Sequence, residues 1–347
     1  MRTRLAIITV ICLCSVACSR PETVVTVAKM NLNRTILSLP KGHKDSLSVI
    51  ILPVNAANKN LNWYSSDDSV VSVENGIVSA IADGEAIISV VTEDQGLSDT
   101  CRVIVYSSID YVDEYGVNHG PGVKIGKTVW APVNCGFHET DYKWGKLYQW
   151  GRKYGQGYTS YREDIELEQQ DACAPKIVAG PISEAEGNHI DNANVFYYKC
   201  SDWVDVRNDK LWNAGSEESP IKTEYDPCPQ GWRVPSFTEL KSVLSNSNPK
   251  EVSMNGFVGH YFSGEYSYSP DAPQIIIPSA GDRSGISGDV SLRVEGCYWS
   301  SMASNNKSAT LDKISWDSFS VHLYSGGRYG EYNQIRSDGL SVRCVME

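Results

Sequence analysis

Only a few side chains in this sequence have the type and spacing to do chemistry. His138-Glu139-Thr140-Asp141-Tyr142 begins as a zinc-holding helix would. Tyr142 stands where the second histidine is needed, so two imidazoles cannot share one helical face. Cys135 with His138 or His189 has the make-up of a thiol nucleophile and its base. In an oxidising compartment, however, a disulfide is the commoner fate of such a thiol. Asp191-Asn192-Ala193-Asn194 and Asp205-Val206-Arg207-Asn208-Asp209 offer oxygen ligands in loop-like stretches. Neither follows the ligand spacing of a calcium-binding EF-hand loop, and both read as solvated acidic loops. A glycosidase needs two carboxylates roughly 5–10 Å apart, a distance that a sequence does not display. No GxSxG, phosphate-binding loop, dinucleotide fingerprint or CxxC occurs. The chain therefore reads as a non-enzyme without cofactor or metal.

What remains is recognition. The segments around Trp203, Trp212, Tyr324 and Tyr329 mix rings with Asp, Asn and Arg, and Arg283 and Arg328 join them as candidate ligand-binding cations. Sugar sites use this mixture: rings lie under C–H faces and polar groups meet hydroxyls. The competing reading is that these rings fill a core poor in Leu and Ile.

The start of the chain says where such a surface would operate. Arg2 and Arg4 precede an uncharged apolar run, Leu5 to Ala17, which is shorter than the roughly 20 residues a membrane-spanning helix needs. This is the pattern of a secretory signal peptide. Ser15-Val16-Ala17-Cys18 resembles a bacterial lipobox, although Ser15 stands where Leu is usual. The resemblance implies lipidation of Cys18, membrane attachment through that lipid, and an outer-membrane, surface-exposed protein. Residues 19–23 would be its tether.

Composition narrows the partners. The formal net charge is −11; residues 24–106 carry net −3 and residues 107–347 net −10. An acidic chain without a basic stripe is a poor ligand for nucleic acid or other polyanions, which leaves a glycan or a host protein as partner. Of the 34 aromatic residues, Trp63, Tyr64 and Tyr106 alone precede residue 111. That step marks two domains of different kind, with residues 107–124 as linker or first edge strand. Six cysteines follow residue 107 (Cys135, Cys173, Cys200, Cys228, Cys297 and Cys344), and six allow fifteen pairings.

Residues 24–106 read as short strands. Leu47–Leu52 ends at Pro53, and Val71–Val73 and Ile77–Ser79 flank Asn75-Gly76, the preferred pair for a tight hairpin. Asp83-Gly84 offers a second such turn before Ala86–Val91. Cys101, Val103 and Val105 alternate with Arg102 and Ile104, so Cys101 belongs to the buried face as a reduced core cysteine. In the second half the clearest helix is Ser236–Leu244, opened by a capping box of Ser236 and Glu239.

Leu39-Pro40-Lys41-Gly42, Leu52-Pro53, Asn62-Trp63, Val71–Val73, Gly76-Ile77-Val78 and Gly84–Ile88 together resemble the bacterial immunoglobulin-like group 2 (BIG2) domain. The resemblance implies an all-β immunoglobulin-like sandwich with Trp63 in its core, serving as stalk or adhesive module. Trp130–Gly136, Gly145–Arg152, Asp226–Pro235, Ile277–Gly281, Tyr298–Ser301 and Gly339–Val345 resemble the Fibrobacter succinogenes major paralogous (FISUMP) domain. That resemblance implies an α+β, C-type-lectin-like domain over residues 125–347. Asp282 departs from it, standing where relatives carry an aromatic. The calcium-dependent lectin pattern, a Trp-Asn-Asp triplet with a Glu-Pro-Asn partner, is absent. By the lectin-like fold, the cysteine before the helix, Cys228, would bridge to Cys344 on the last strand. The expected function is adhesion to a glycan or host surface. The rivals are a purely structural component of the envelope or of a surface appendage and, third, an extracellular glycan hydrolase.

Overall fold

The computed structural model describes residues 24–140, 142–157, 175–245, 250–254, 257–262, 274–291, 295–310, 313–324 and 328–347. The leader, the lipidation expected at Cys18, and Cys173 lie outside them. The described chain is mostly short β-strands with few helices.

In residues 24–106 hydrophobic alternation and turn residues build two larger sheets and a two-stranded one, Lys29–Leu32 with Val49–Leu52. Asn75 and Gly76 take φ of 49° and 83° and join Val71–Glu74 to Ile77–Ala80 as a hairpin. A Cβ on Gly76 would sit 2.6 Å from the Leu47 carbonyl oxygen, so the close approach admits no other residue. Lys44–Ser46 completes this sheet on the other side of Ile77–Ala80. The second sheet runs Ile36–Pro40, Ser98–Tyr106, Gly84–Thr92, Leu61–Ser65, with its first pair parallel. Asp83-Gly84 does not close a hairpin, contrary to the expectation from its sequence. Ile77–Ala80 is already paired on both edges, so the chain must cross to the second sheet at that point. Between the sheets, Ala86, Ile88, Val90, Cys101, Val103 and Val105 meet Leu37, Leu39, Val71 and Val78. Each fully buried aliphatic side chain stabilises by roughly 1.5–3 kcal/mol. Trp63 is half-buried against this cluster, and Cys101 is buried and in no disulfide, its sulfur 3.7 Å from the Arg102 carbonyl oxygen.

The stretch 107–124 is not an open linker. Asp110–Val112 pairs with Asn118–Pro121, and Val123–Ile125 with Thr128–Trp130. Tyr106, the last residue of the sandwich strand, and Tyr111 are both buried in the hydrophobic cluster of the following region. The Tyr106 hydroxyl donates to the Gly122 carbonyl at 3.0 Å. Two buried rings tie the junction down.

Beyond it, strands of two to six residues alternate with long irregular segments, until three longer strands, Glu295–Thr310, Lys313–Tyr324 and Arg328–Ile335, pair in antiparallel order. Val123–Ile125, Thr128–Trp130, Val345–Met346 and Trp232–Arg233 form one sheet. Gly339–Ser341 sits inside another, between Asp282–Arg283 and Glu295–Thr310, and takes Leu147–Gln149 as a further partner. The end of the chain thus returns to pin its first third. The helix Phe237–Ser245 has the expected capping box: the Glu239 carboxylate accepts from the Ser236 amide (2.8 Å) and the Ser236 hydroxyl from the Glu239 amide (3.3 Å).

Candidate functional site

Three of the residues expected to touch ligand are inside the protein. Trp203 and Trp212 are 0% and 1% exposed, and Arg283 is fully buried. The reason is the irregular backbone around them. Buried backbone carbonyls, on loops and on short strands alike, still need donors, and indole N–H groups supply them. Trp203 Nε1 donates to the Trp150 carbonyl (2.7 Å), Trp212 Nε1 to that of Arg152 (3.1 Å), Trp150 Nε1 to that of Ser300 (3.0 Å) and Trp299 Nε1 to that of Tyr148 (2.7 Å). Arginines do the same with more donors. Arg343 reaches the Asn134 side-chain oxygen and the carbonyls of Ala131 and Ile276. Arg152 reaches the carbonyls of Gly187, Asn192 and Val195. Arg283 donates to Gly288 and Gly157 while stacking over Phe196. Burial pulls all three guanidinium pKa values down to about 10, so each stays charged at neutral pH. Of the other candidates, Tyr324 and Arg328 are register partners of adjacent strands. Their side chains, and that of Tyr329, fall outside the described residues.

A different face gathers partly exposed rings around one exposed ring. Tyr115, near the tip of the 110–121 hairpin, is 43% exposed. Its ring meets His138 edge-on, with 4.8 Å between centroids. The Lys146 ammonium lies 5.3 Å from the Tyr115 centroid and 4.9 Å from that of Tyr142. Glu114 holds that ammonium at 2.7 Å. Beneath them His119 packs edge-on against Phe137 and bonds Asp113 at 2.7 Å. Burial alone would raise the Asp113 carboxyl, but the His119 bond and the Val117 and Tyr115 amides together hold it below its ordinary value. This carboxylate fixes the hairpin tip, and so the position of Tyr115.

The loop that brings His138 and Tyr142 to this face is no helix. His138 and Tyr142 exchange backbone hydrogen bonds at 3.1 and 3.2 Å across a tight antiparallel bridge. Glu139 is exposed beside it. The pattern therefore presents rings rather than zinc ligands. Sequence reasoning weighed this loop for zinc and thiol chemistry alone and passed over Tyr115, although Phe137, His138, Tyr142 and Trp144 within eight residues were a visible signal of a ring cluster.

Directly behind the face lies a sulfur cluster. Cys228 and Cys344 are disulfide-bonded, and the Cys135 sulfur lies within 4.8 Å of both. Two of these three sulfurs are bonded to each other, so in this state the group offers a metal one thiol only. Burial pushes that thiol up to about 12. The loops weighed for calcium are otherwise engaged. Asp209 pairs with Arg207 and Arg336, and the Asn192 side chain donates to the Glu186 carbonyl.

With the geometry in view, comparison with known proteins identifies one part of the chain. Residues 26–103 match the family model of the bacterial Ig-like domain (group 2). A Clostridium acetobutylicum protein described as uncharacterized is 43% identical over 77 residues, which is 22% of this chain and 19% of that protein. A second from the same organism, also described as uncharacterized, is 36% identical over 76 residues, 21% of this chain and 8% of the relative. The chain thus spans under a fifth of the length of these curated relatives.

Proposed function

We propose that this is an exported surface protein, lipid-anchored at Cys18 in the outer membrane, whose immunoglobulin-like domain carries a lectin-like head that binds a neutral glycan without turnover. The observation that carries this reading is the partly exposed Tyr115–His138–Tyr142 face with its Lys146–Glu114 pair. Rings can take the C–H faces of a sugar, while ammonium, carboxylate and imidazole can reach hydroxyls. Support for a lectin-like head comes from the motifs over 125–346 and from the Cys228–Cys344 bond, which joins the segment before the helix to the end of the chain. The group 2 Ig-like domain supports a surface or adhesive setting.

A glycan array with the mature chain tests the reading. Binding is expected to change little between low and moderate salt, because stacking rather than ion pairing would hold a neutral ligand. An array and cell-surface screen without a hit would favour a purely structural envelope role, and product release from a polysaccharide would overturn the non-catalytic reading. Membrane anchoring is tested separately. Cys18→Ala is expected to leave the protein unlipidated and outside the membrane fraction, and unchanged partitioning would contradict it.

A further inference from the structure

The disulfide expected from sequence occupies only two of three sulfurs that the fold brings together. Cys135, Cys228 and Cys344 are all buried, and their sulfurs lie within 4.8 Å of one another. Separate contacts hold each element in place. The Cys135 amide donates to the Val342 carbonyl and the Ala131 amide to that of Cys344, so segment 131–135 runs beside residues 342–344, between the last two strands. The Cys135 thiol donates to the Pro227 carbonyl at 3.4 Å, next to Cys228. Tyr148 donates its hydroxyl proton to the Cys135 sulfur at 3.3 Å, and the Tyr111 hydroxyl lies 3.8 Å from the Cys344 sulfur. The third thiol is therefore seated against both ends of an existing disulfide, with a phenol beside Cys135 and another beside Cys344.

We propose that Cys135, Cys228 and Cys344 form one thiol–disulfide exchange unit, in which Cys135 can replace either partner of the Cys228–Cys344 bond. The step balances internally. Cys135 gives up its proton, and its thiolate sulfur bonds to one sulfur of the disulfide. The electron pair of the broken S–S bond leaves on the other sulfur, which takes up a proton. One disulfide and one thiol remain, nothing is oxidised or reduced overall, and no outside reagent is consumed. Because the thiolate is the nucleophile, burial of Cys135 keeps exchange slow at neutral pH. The rate should climb about tenfold per pH unit while the thiol remains mostly protonated.

The test uses the mature chain. Cys228→Ser and Cys344→Ser are refolded in a glutathione redox buffer, quenched in acid, alkylated and peptide-mapped. The expected products are a Cys135–Cys344 bond in the first variant and a Cys135–Cys228 bond in the second. Cys135 recovered as a free thiol in both, or bridges scattered over Cys101, Cys200 and Cys297, would overturn the proposal. A second measurement does not depend on those variants folding. The native protein is moved to pH 9 and sampled over time. Exchange predicts a growing fraction with Cys135 bridged, and none of it in a Cys135→Ser control with its Cys228–Cys344 bond intact. Cys228–Cys344 persisting as the sole bond in the unmutated protein at every time would refute it.

Discussion

The two regions of this molecule solve the same problem with different side chains. In residues 24–106 the ladders satisfy much of the backbone, so the interior can be aliphatic: Ile88, Val90, Val103 and Val78 simply meet. Beyond residue 106 long segments run outside any ladder, and buried carbonyls there, as well as some on strands such as those of Tyr148 and Ile276, find donors in side chains. Trp150, Trp203, Trp212 and Trp299 give one N–H each, while Arg152, Arg283 and Arg343 give several. The stacking of Arg336 over Trp150 at 4.5 Å and of Arg152 over Tyr197 at 5.0 Å lets these groups share one interior. An aromatic-rich, loop-rich sequence therefore need not be an aromatic-rich surface. Here most of the described tryptophans are scaffold.

Substitutions can break this contrast, the largest first. Trp212→Ala should cost roughly 3–5 kcal/mol, as truncation of a core tryptophan does. The readout is a sharp fall in the melting temperature of the C-terminal region, with the sandwich transition unmoved. Arg343→Met fills similar volume but strands three acceptors, and at roughly 1–3 kcal/mol for each unpaired buried group it should lose about 3 kcal/mol or more by denaturant titration. An Ile88→Val change in the sandwich should cost only about 0.5–1.5 kcal/mol in the same experiment. If both regions responded alike, the proposed difference between their cores would fail.

Acid sharpens the comparison further. Burial, opposed by Arg336, raises the Asp202 carboxyl to about 6. A carboxyl whose folded value exceeds its unfolded one contributes stability that is fully present below about 3.8 and lost as pH rises through about 6. Burial raises the Asp226 carboxyl to about 6 as well, so lowering pH from 7 to 5 should stabilise the C-terminal region by about 1–2 kcal/mol for each of the two, and Asp202→Asn should remove only its own share. The smallest effect belongs to the sandwich surface. The Arg102–Glu85 pair is half exposed at 2.7 Å, so Arg102→Ala should shift stability by no more than about 0.5 kcal/mol and less in high salt.

How much was legible in the sequence follows the same divide. Period-two alternation marked Cys101, Val103 and Val105 as inward-facing, and Asn75-Gly76 announced its hairpin, because local patterns decide both. The Ser236–Glu239 capping box likewise located the helix start to within a residue. Trp203, Trp212 and Arg283 were misplaced because burial in irregular backbone leaves no periodic trace. Their role depends on carbonyls up to 126 residues away in the chain. The stretch 107–124 looked like a linker for a related reason: its polarity is real, but Tyr106 and Tyr111 anchor it inward. Light proteolysis should spare this junction, and prompt cleavage between Tyr106 and Gly126 would contradict that packing.

Ligand titration of matched variants of the mature chain tests most directly whether the C-terminal region, rather than the immunoglobulin-like domain, meets the ligand. Tyr115→Ala with Tyr142→Ala removes rings from the proposed face, and Tyr64→Ala removes an exposed ring, 56% accessible, from the sandwich. With the best glycan from the array, the double variant should bind about 10- to 100-fold more weakly at unchanged melting temperature, as hot-spot aromatics do. Tyr64→Ala should bind as the unmodified chain does. Loss of binding in Tyr64→Ala, with the double variant unaffected, would place recognition on the stalk and contradict the account.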